Sequence, residues 1–123
     1  MIVIDTSALV DSLCGLRKSK ERLRALGASG ERVVLSTLVL YEWLRGPRLR
    51  QELLAQEELF PRDQAIPFGT PEASLAAELY RKVRSARRRE MDLAIAATAL
   101  ARNAGLWTLN RQDFRDIPGL QLV

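Results

Sequence analysis

The chain opens Met1-Ile2-Val3-Ile4-Asp5-Thr6-Ser7-Ala8-Leu9-Val10. Its first residues form an unbroken apolar run rich in β-branched side chains, the pattern of a strand buried on both faces in a parallel sheet. Asp5 ends that run, and Thr6 or Ser7 is placed to cap a helix reaching about Leu13. A buried strand passing directly into a helix is the opening of an α/β unit.

The same alternation continues downstream. Residues 17–26 are amphipathic, with Leu23 and Leu26 on one face and Gly27 as the stop. Residues 32–36 read as a second strand, after which Ser36 or Thr37 caps a helix that carries Glu42 and ends at Gly46-Pro47. A further helix covers residues 48–59, and residues 60–63 form a turn. Residues 65–68 read as a short edge strand, because Pro67 cannot donate to a central ladder. Thr70-Pro71-Glu72 starts a helix running to about Ala86, and another spans residues 91–103, closed by Gly105. Residues 106–109 and 120–123 complete the strands. These elements predict one domain over residues 1–123, an α/β fold with a mostly parallel central sheet covered by helices on both faces.

Composition narrows the chemistry. The 123 residues are 47% hydrophobic and 28% charged, the balance of a soluble globular domain with one core. Lysine and arginine number 19 against 15 acids, for a net charge of +4, which suits an anionic partner. Histidine is absent, which excludes Ser-His-Asp and Cys-His catalysis and histidine-based metal sites. Cys14 is the single cysteine, so no internal disulfide or structural zinc site forms, and a reducing cytoplasm is the expected compartment. The N-terminal apolar run is too short for a signal peptide, and no stretch approaches a membrane span.

Against that background four carboxylates stand at the ends of, or within, apolar segments: Asp5, Glu42, Asp92 and Asp113. Gathered together they repel strongly, since two charges about 4 Å apart cost roughly 4 kcal/mol at an effective dielectric near 20. A divalent cation or raised pKa values would relieve that repulsion. Each acid also has a plainer reading. Asp5 can be a metal ligand, a phospho-acceptor or a helix cap; Glu42 can be a solvated helix residue or a buried ligand. Asp92 opens a helix that is apolar nearly all round from Leu93 to Ala101, where it either complements the helix dipole or points into a cleft. Thr108, Asn110 and Asp113 present oxygens after a strand, as a turn does or as a hard-cation site does. Asp5 and Asp113 both follow expected parallel strands, which puts them on the edge where open sheets bind ligands.

Together, Asp5-Thr6-Ser7-Ala8-Leu9-Val10, the mid-chain Glu42, Asp92-Leu93-Ala94-Ile95-Ala96-Ala97-Thr98-Ala99 and Thr108-Leu109-Asn110-Arg111-Gln112-Asp113-Phe114 resemble the PIN domain over nearly the whole chain. More narrowly, the pattern is similar to the VapC-type toxins of prokaryotic toxin–antitoxin pairs. The resemblance implies a three-layer α/β/α PIN-like fold and a metal-dependent ribonuclease. Asp5, Glu42, Asp92 and Asp113 would bind Mg²⁺ or Mn²⁺, with Glu42 farthest from the first ion, and Thr6, Thr108 and Asn110 would support them. Water would be the nucleophile, leaving 5′-phosphate and 3′-hydroxyl ends. It also implies a VapB-like antitoxin that blocks the site, and a homodimer. Ahead of Asp92 the chain departs from the family, with Ser85-Ala86-Arg87-Arg88-Arg89-Glu90 where relatives tend to carry a less charged, glycine-containing loop.

That departure is basic. Arg81, Arg84, Arg87, Arg88 and Arg89 crowd the approach to Asp92 and read as an RNA phosphate track, against the alternative of a solvated face at a helix C-terminus. The rival function is a non-catalytic PIN-like RNA-binding or complex-forming module. A phosphatase is a more distant third.

Overall fold

The computed structural model describes residues 1–15 and 18–123. Among these residues three short strands lie parallel in the order β2-β1-β3: β1 (Ile2–Ile4), β2 (Val33–Val34) and β3 (Gly105–Trp107). Ile2 stands opposite Val33 and Gly105, Val3 opposite Val34 and Leu106, and Ile4 opposite Trp107. All three residues of β1 are buried, although alternate side chains face opposite sides of the sheet, so both faces are covered. That is what the apolar run at the N-terminus specifies.

Parallel neighbours need crossovers, and helices supply them. α1 (Thr6–Leu13) and α2 (Lys18–Ala28) connect β1 to β2. α3 (Thr37–Arg45), α4 (Arg50–Leu59), α5 (Thr70–Lys82) and α6 (Glu90–Ala101) lead from β2 to β3. α6 is the most buried helix: Leu93, Ile95, Ala96, Ala97 and Ala99 are enclosed, and it packs on α5, β1 and β3. No helix is long and apolar enough to cross a membrane among the described residues.

Several boundaries differ from the sequence expectation, each for a local reason. Arg17, the expected start of α2, lies outside the described residues. The stop of α2 is Gly30 rather than Gly27: Gly30 takes the left-handed conformation (φ 84°), and the amides of Gly30 and Glu31 donate to the carbonyls of Gly27 and Leu26. Asn103 (φ 53°) ends α6 in the same way, with Asn103 and Ala104 donating to Leu100 and Ala99. Gly105 is therefore free to enter β3, where a Cβ would meet the Val123 side chain at 2.9 Å. α5 stops at Lys82, because Val83 is extended and Ser85 left-handed, and a 3-10 turn at Ala86–Arg89 follows. The expected strands at residues 65–68 and 120–123 are single parallel bridges, Ser36 to Ile66 and Leu106 to Leu122. At the first, Pro67 has no amide with which to extend the pairing.

Candidate active site

β1 and β3 run parallel in register, so their carboxyl ends leave the sheet side by side; the Asp5 amide donates to the Trp107 carbonyl at 2.8 Å. This brings Asp5 against Thr108, 103 residues later in the chain. Asp5 occupies the N-cap position of α1, yet its side chain makes no capping hydrogen bond. Its Oδ2 instead accepts from the Thr108 hydroxyl at 2.7 Å and the Ser7 hydroxyl at 2.9 Å. Only 4% of Asp5 is exposed. The helix-cap reading of Asp5 fails on this geometry, as does the expectation that a Thr6 or Ser7 hydroxyl caps α1.

The two hydroxyls are tied in turn to the segment leaving β3. The Ser7 hydroxyl accepts the Leu109 amide at 3.0 Å and lies 3.2 Å from that of Thr108, which accepts the Asn110 amide at 3.0 Å. Asn110 joins the network through its backbone amide, and the residue is exposed. Ser7 was legible only as a cap, because its partner at Leu109 lies across the sheet.

α3 begins correctly at a Ser36 cap, whose hydroxyl accepts the Val39 amide at 3.1 Å. It delivers Glu42 to the start of α1, where Glu42 Oε1 accepts the Thr6 hydroxyl at 2.5 Å and Oε2 faces the Arg45 guanidinium at 3.4 Å. Thr6 thus holds Glu42 as Thr108 holds Asp5. Asp92 is in the first turn of α6, and Asp113 closes the 3-10 turn Arg111–Asp113 that follows β3.

Asp92 registers the convergence. Its carboxyl is half-buried and pushed up to about 6, first by loss of hydration and then by the charges of Asp5, Asp113 and Glu42; Arg89 opposes the shift. All four acids therefore share one electrostatic neighbourhood. Among the described residues no group of three acids is spaced to enclose a metal ion by direct contact alone. The donors present are hard oxygens from carboxylates and hydroxyls, which fit Mg²⁺ or Mn²⁺; Mg²⁺ commonly keeps several waters and uses only one or two carboxylates.

The basic run divides. Arg81, Arg84, Arg87 and Arg88 are not buried, and none of them has the inward contacts of its neighbour among the described residues. Arg89 turns inward: its guanidinium forms a two-pronged pair with Asp116 at 2.6 and 2.9 Å and donates to the backbone carbonyls of Asp113 (2.7 Å) and Arg84 (3.1 Å). Asp116 had no signal in the sequence beyond being one more surface acid.

A PIN domain family model matches residues 2–120. The chain belongs to the PIN domain family. A curated relative, Ribonuclease VapC19 of Mycobacterium tuberculosis, is 36% identical over 123 residues, covering 98% of each chain. A toxin–antitoxin complex from Klebsiella pneumoniae contains a chain 26% identical, with a TM-score of 0.76, covering 98% of this chain and 95% of that one. VapBC2 from Rickettsia felis, crystallised with a DNA fragment from its promoter, shares the fold with a TM-score of 0.78 at 24% identity, over 100% and 98% of the two chains. The expected α/β PIN fold is borne out. In this PIN domain, the carboxyl ends of β1 and β3, the first turn of α6 and the body of α3 bring Asp5, Asp113, Asp92 and Glu42 toward one another.

Proposed function

We propose that this PIN domain is a ribonuclease of the VapC type that hydrolyses RNA phosphodiester bonds with the help of Mg²⁺ or Mn²⁺ held at Asp5, Glu42, Asp92 and Asp113. The observation that carries the reading is the gathering of the acids: Asp5 is bonded to Thr108 across the sheet, Glu42 to Thr6 next to it, and the charges of Asp5, Asp113 and Glu42 all bear on Asp92. The 36% identity to a relative named a ribonuclease supports the substrate class.

When bound, the cation supplies a water of lowered pKa and neutralises charge on the phosphate. The chain's own residues prepare for this. Thr108 and Ser7 fix Asp5 from one side, and Thr6 fixes Glu42, so each carboxylate is pre-oriented by a hydroxyl. Asp92 is in its charge-bearing form above about pH 6 and remains a proton-holding group below it. Arg81, Arg84, Arg87 and Arg88, exposed on the stretch of chain leading to Asp92, take the RNA backbone. Water attack on phosphorus leaves 5′-phosphate and 3′-hydroxyl ends.

The same reading makes a VapB-like antitoxin the inhibitory partner, as the solved relatives are toxin–antitoxin complexes. It also makes the working form a homodimer in the cytoplasm. The discriminating experiment compares wild type with Asp5→Asn for Mn²⁺-dependent RNA cleavage and for RNA affinity. The mutant loses cleavage by about a hundredfold or more, at or beyond the upper end for outer-shell changes, while still binding RNA. Undiminished cleavage in the mutant sinks the metal-site reading. Wild type that binds RNA without cutting it, and without a response to Mn²⁺, makes the chain a binding module.

A further inference from the structure

Within the basic run, the arginine that turns toward the acidic site is the one least available to RNA. Arg89 is 14% exposed, and its guanidinium joins two separate segments, the one after α5 and the one after β3. One prong goes back to the Arg84 carbonyl beyond α5, and the other crosses to the Asp113 carbonyl; both grip Asp116. Arg89 immediately precedes α6, three residues ahead of Asp92, while Asp113 lies on the segment after β3. The backbone positions of these two acids are thus joined by one planar, multi-donor side chain whose contact with Asp113 spans 24 residues of sequence.

We propose that Arg89 and Asp116 form a clamp that fixes Asp113 against Asp92, so that Arg89 is a positioning residue of the acidic site and not a phosphate contact. The pairing is suited to this role. A two-pronged guanidinium–carboxylate pair fixes angle as well as distance, which an ammonium cannot do. The Asp113 carbonyl is held at 2.7 Å, and the charge of the same residue bears on Asp92. Arg89 also places a positive charge beside Asp92 and Asp113, which offsets part of their repulsion. Arg87 and Arg88, its exposed neighbours, have no such contacts to the Asp113 segment among the described residues.

The inference rests on the metal-dependent reading of the site, and its test separates the two. Arg89→Lys, Arg89→Met, Asp116→Asn and the Arg89→Lys/Asp116→Asn double variant are compared with wild type. Mn²⁺ affinity is measured by electron paramagnetic resonance without RNA, and kcat and KM with a short RNA. Asp116 is half-exposed, and thermal unfolding checks that each variant keeps the fold. Each single change weakens Mn²⁺ binding about ten- to hundredfold and lowers kcat similarly, the range for groups that orient metal ligands, while KM for RNA stays put. The double variant is no worse than either single one, because both remove the same clamp. Arg89→Met is the sharpest arm: removing a nearby positive charge alone would tighten Mn²⁺ binding, whereas loss of the clamp weakens it. Asp116→Asn with wild-type Mn²⁺ affinity, together with Arg89→Lys raising only KM, overturns the clamp and makes Arg89 an RNA contact. Wild type that binds no Mn²⁺ overturns the metal-site reading and the clamp's role with it.

Discussion

Replacing Asp92 by Asn stabilises the metal-free protein and removes its response to divalent cations. The folded-state carboxyl of Asp92 titrates near 6, above its ordinary value of 3.8. A group whose pKa is raised by folding leaves stability intact below its unfolded pKa and erodes it as pH rises through the folded one. A rise of that size corresponds to about 3 kcal/mol for a fully enclosed group. Asp92 is only half-buried, and solvent screening reduces the figure to about 1 kcal/mol. Asparagine cannot ionise, so that amount returns in the variant above pH 6, raising Tm by about 4 °C in a domain of this size. The gain fades as pH falls from 6 to 3.8, where wild-type Asp92 is protonated in the folded state as well. Thermal unfolding in EDTA at about pH 7.5 and about pH 4 reads both effects. Adding Mn²⁺ at about a hundred times its Kd then stabilises wild type by about 2.7 kcal/mol through ligand linkage, and the variant hardly at all. A variant less stable than wild type in EDTA at the higher pH, or equally stabilised by Mn²⁺, rules out a charge cluster relieved by a cation at Asp92.

Protons and cations compete for the same carboxylate, so the apparent Mn²⁺ affinity of wild type weakens about tenfold between about pH 7.5 and about pH 5; calorimetric titrations at the two pH values check this, and a flat profile contradicts it. Thr108→Val removes the hydroxyl that Asp5 accepts from, and lowers kcat about ten- to hundredfold with a smaller effect on KM for RNA, measured by steady-state cleavage. Arg87→Ala with Arg88→Ala does the opposite: KM rises, kcat holds, and the slope of log affinity against log salt concentration falls by about one to two. Unaltered salt dependence would remove these arginines from the RNA track.

How much of this the sequence carried depends on the range of the interactions involved. β1 was legible because burial on both faces demands an unbroken apolar run, and Ser36 because a capping hydroxyl acts three residues away. The four acids were legible as charges out of place beside apolar segments. What a local pattern could not express were choices made by distant partners. Asp5 looks like a cap until Thr108 arrives from across the sheet, and Ser7 shares that fate. Gly27 and Gly30 are equivalent as letters, and the hydrogen bonds to Leu26 and Gly27 select the second. Arg89 is one of a basic run in the sequence, but Asp116 and the Asp113 carbonyl turn it inward. The backbone N–H by which Asn110 joins the Thr108 hydroxyl has no mark in the sequence.

Everything proposed for the acidic site depends on where a cation sits. Crystals soaked in Mn²⁺ and measured at the manganese absorption edge give that position without reference to activity. An anomalous peak is expected beyond the carboxyl ends of β1 and β3, about 2.0–2.3 Å from at least one oxygen of Asp5, Asp92 or Asp113, with waters completing its shell. A peak held only by other residues, with these three carboxylates left hydrogen-bonded among themselves, contradicts a cation site at the sheet edge.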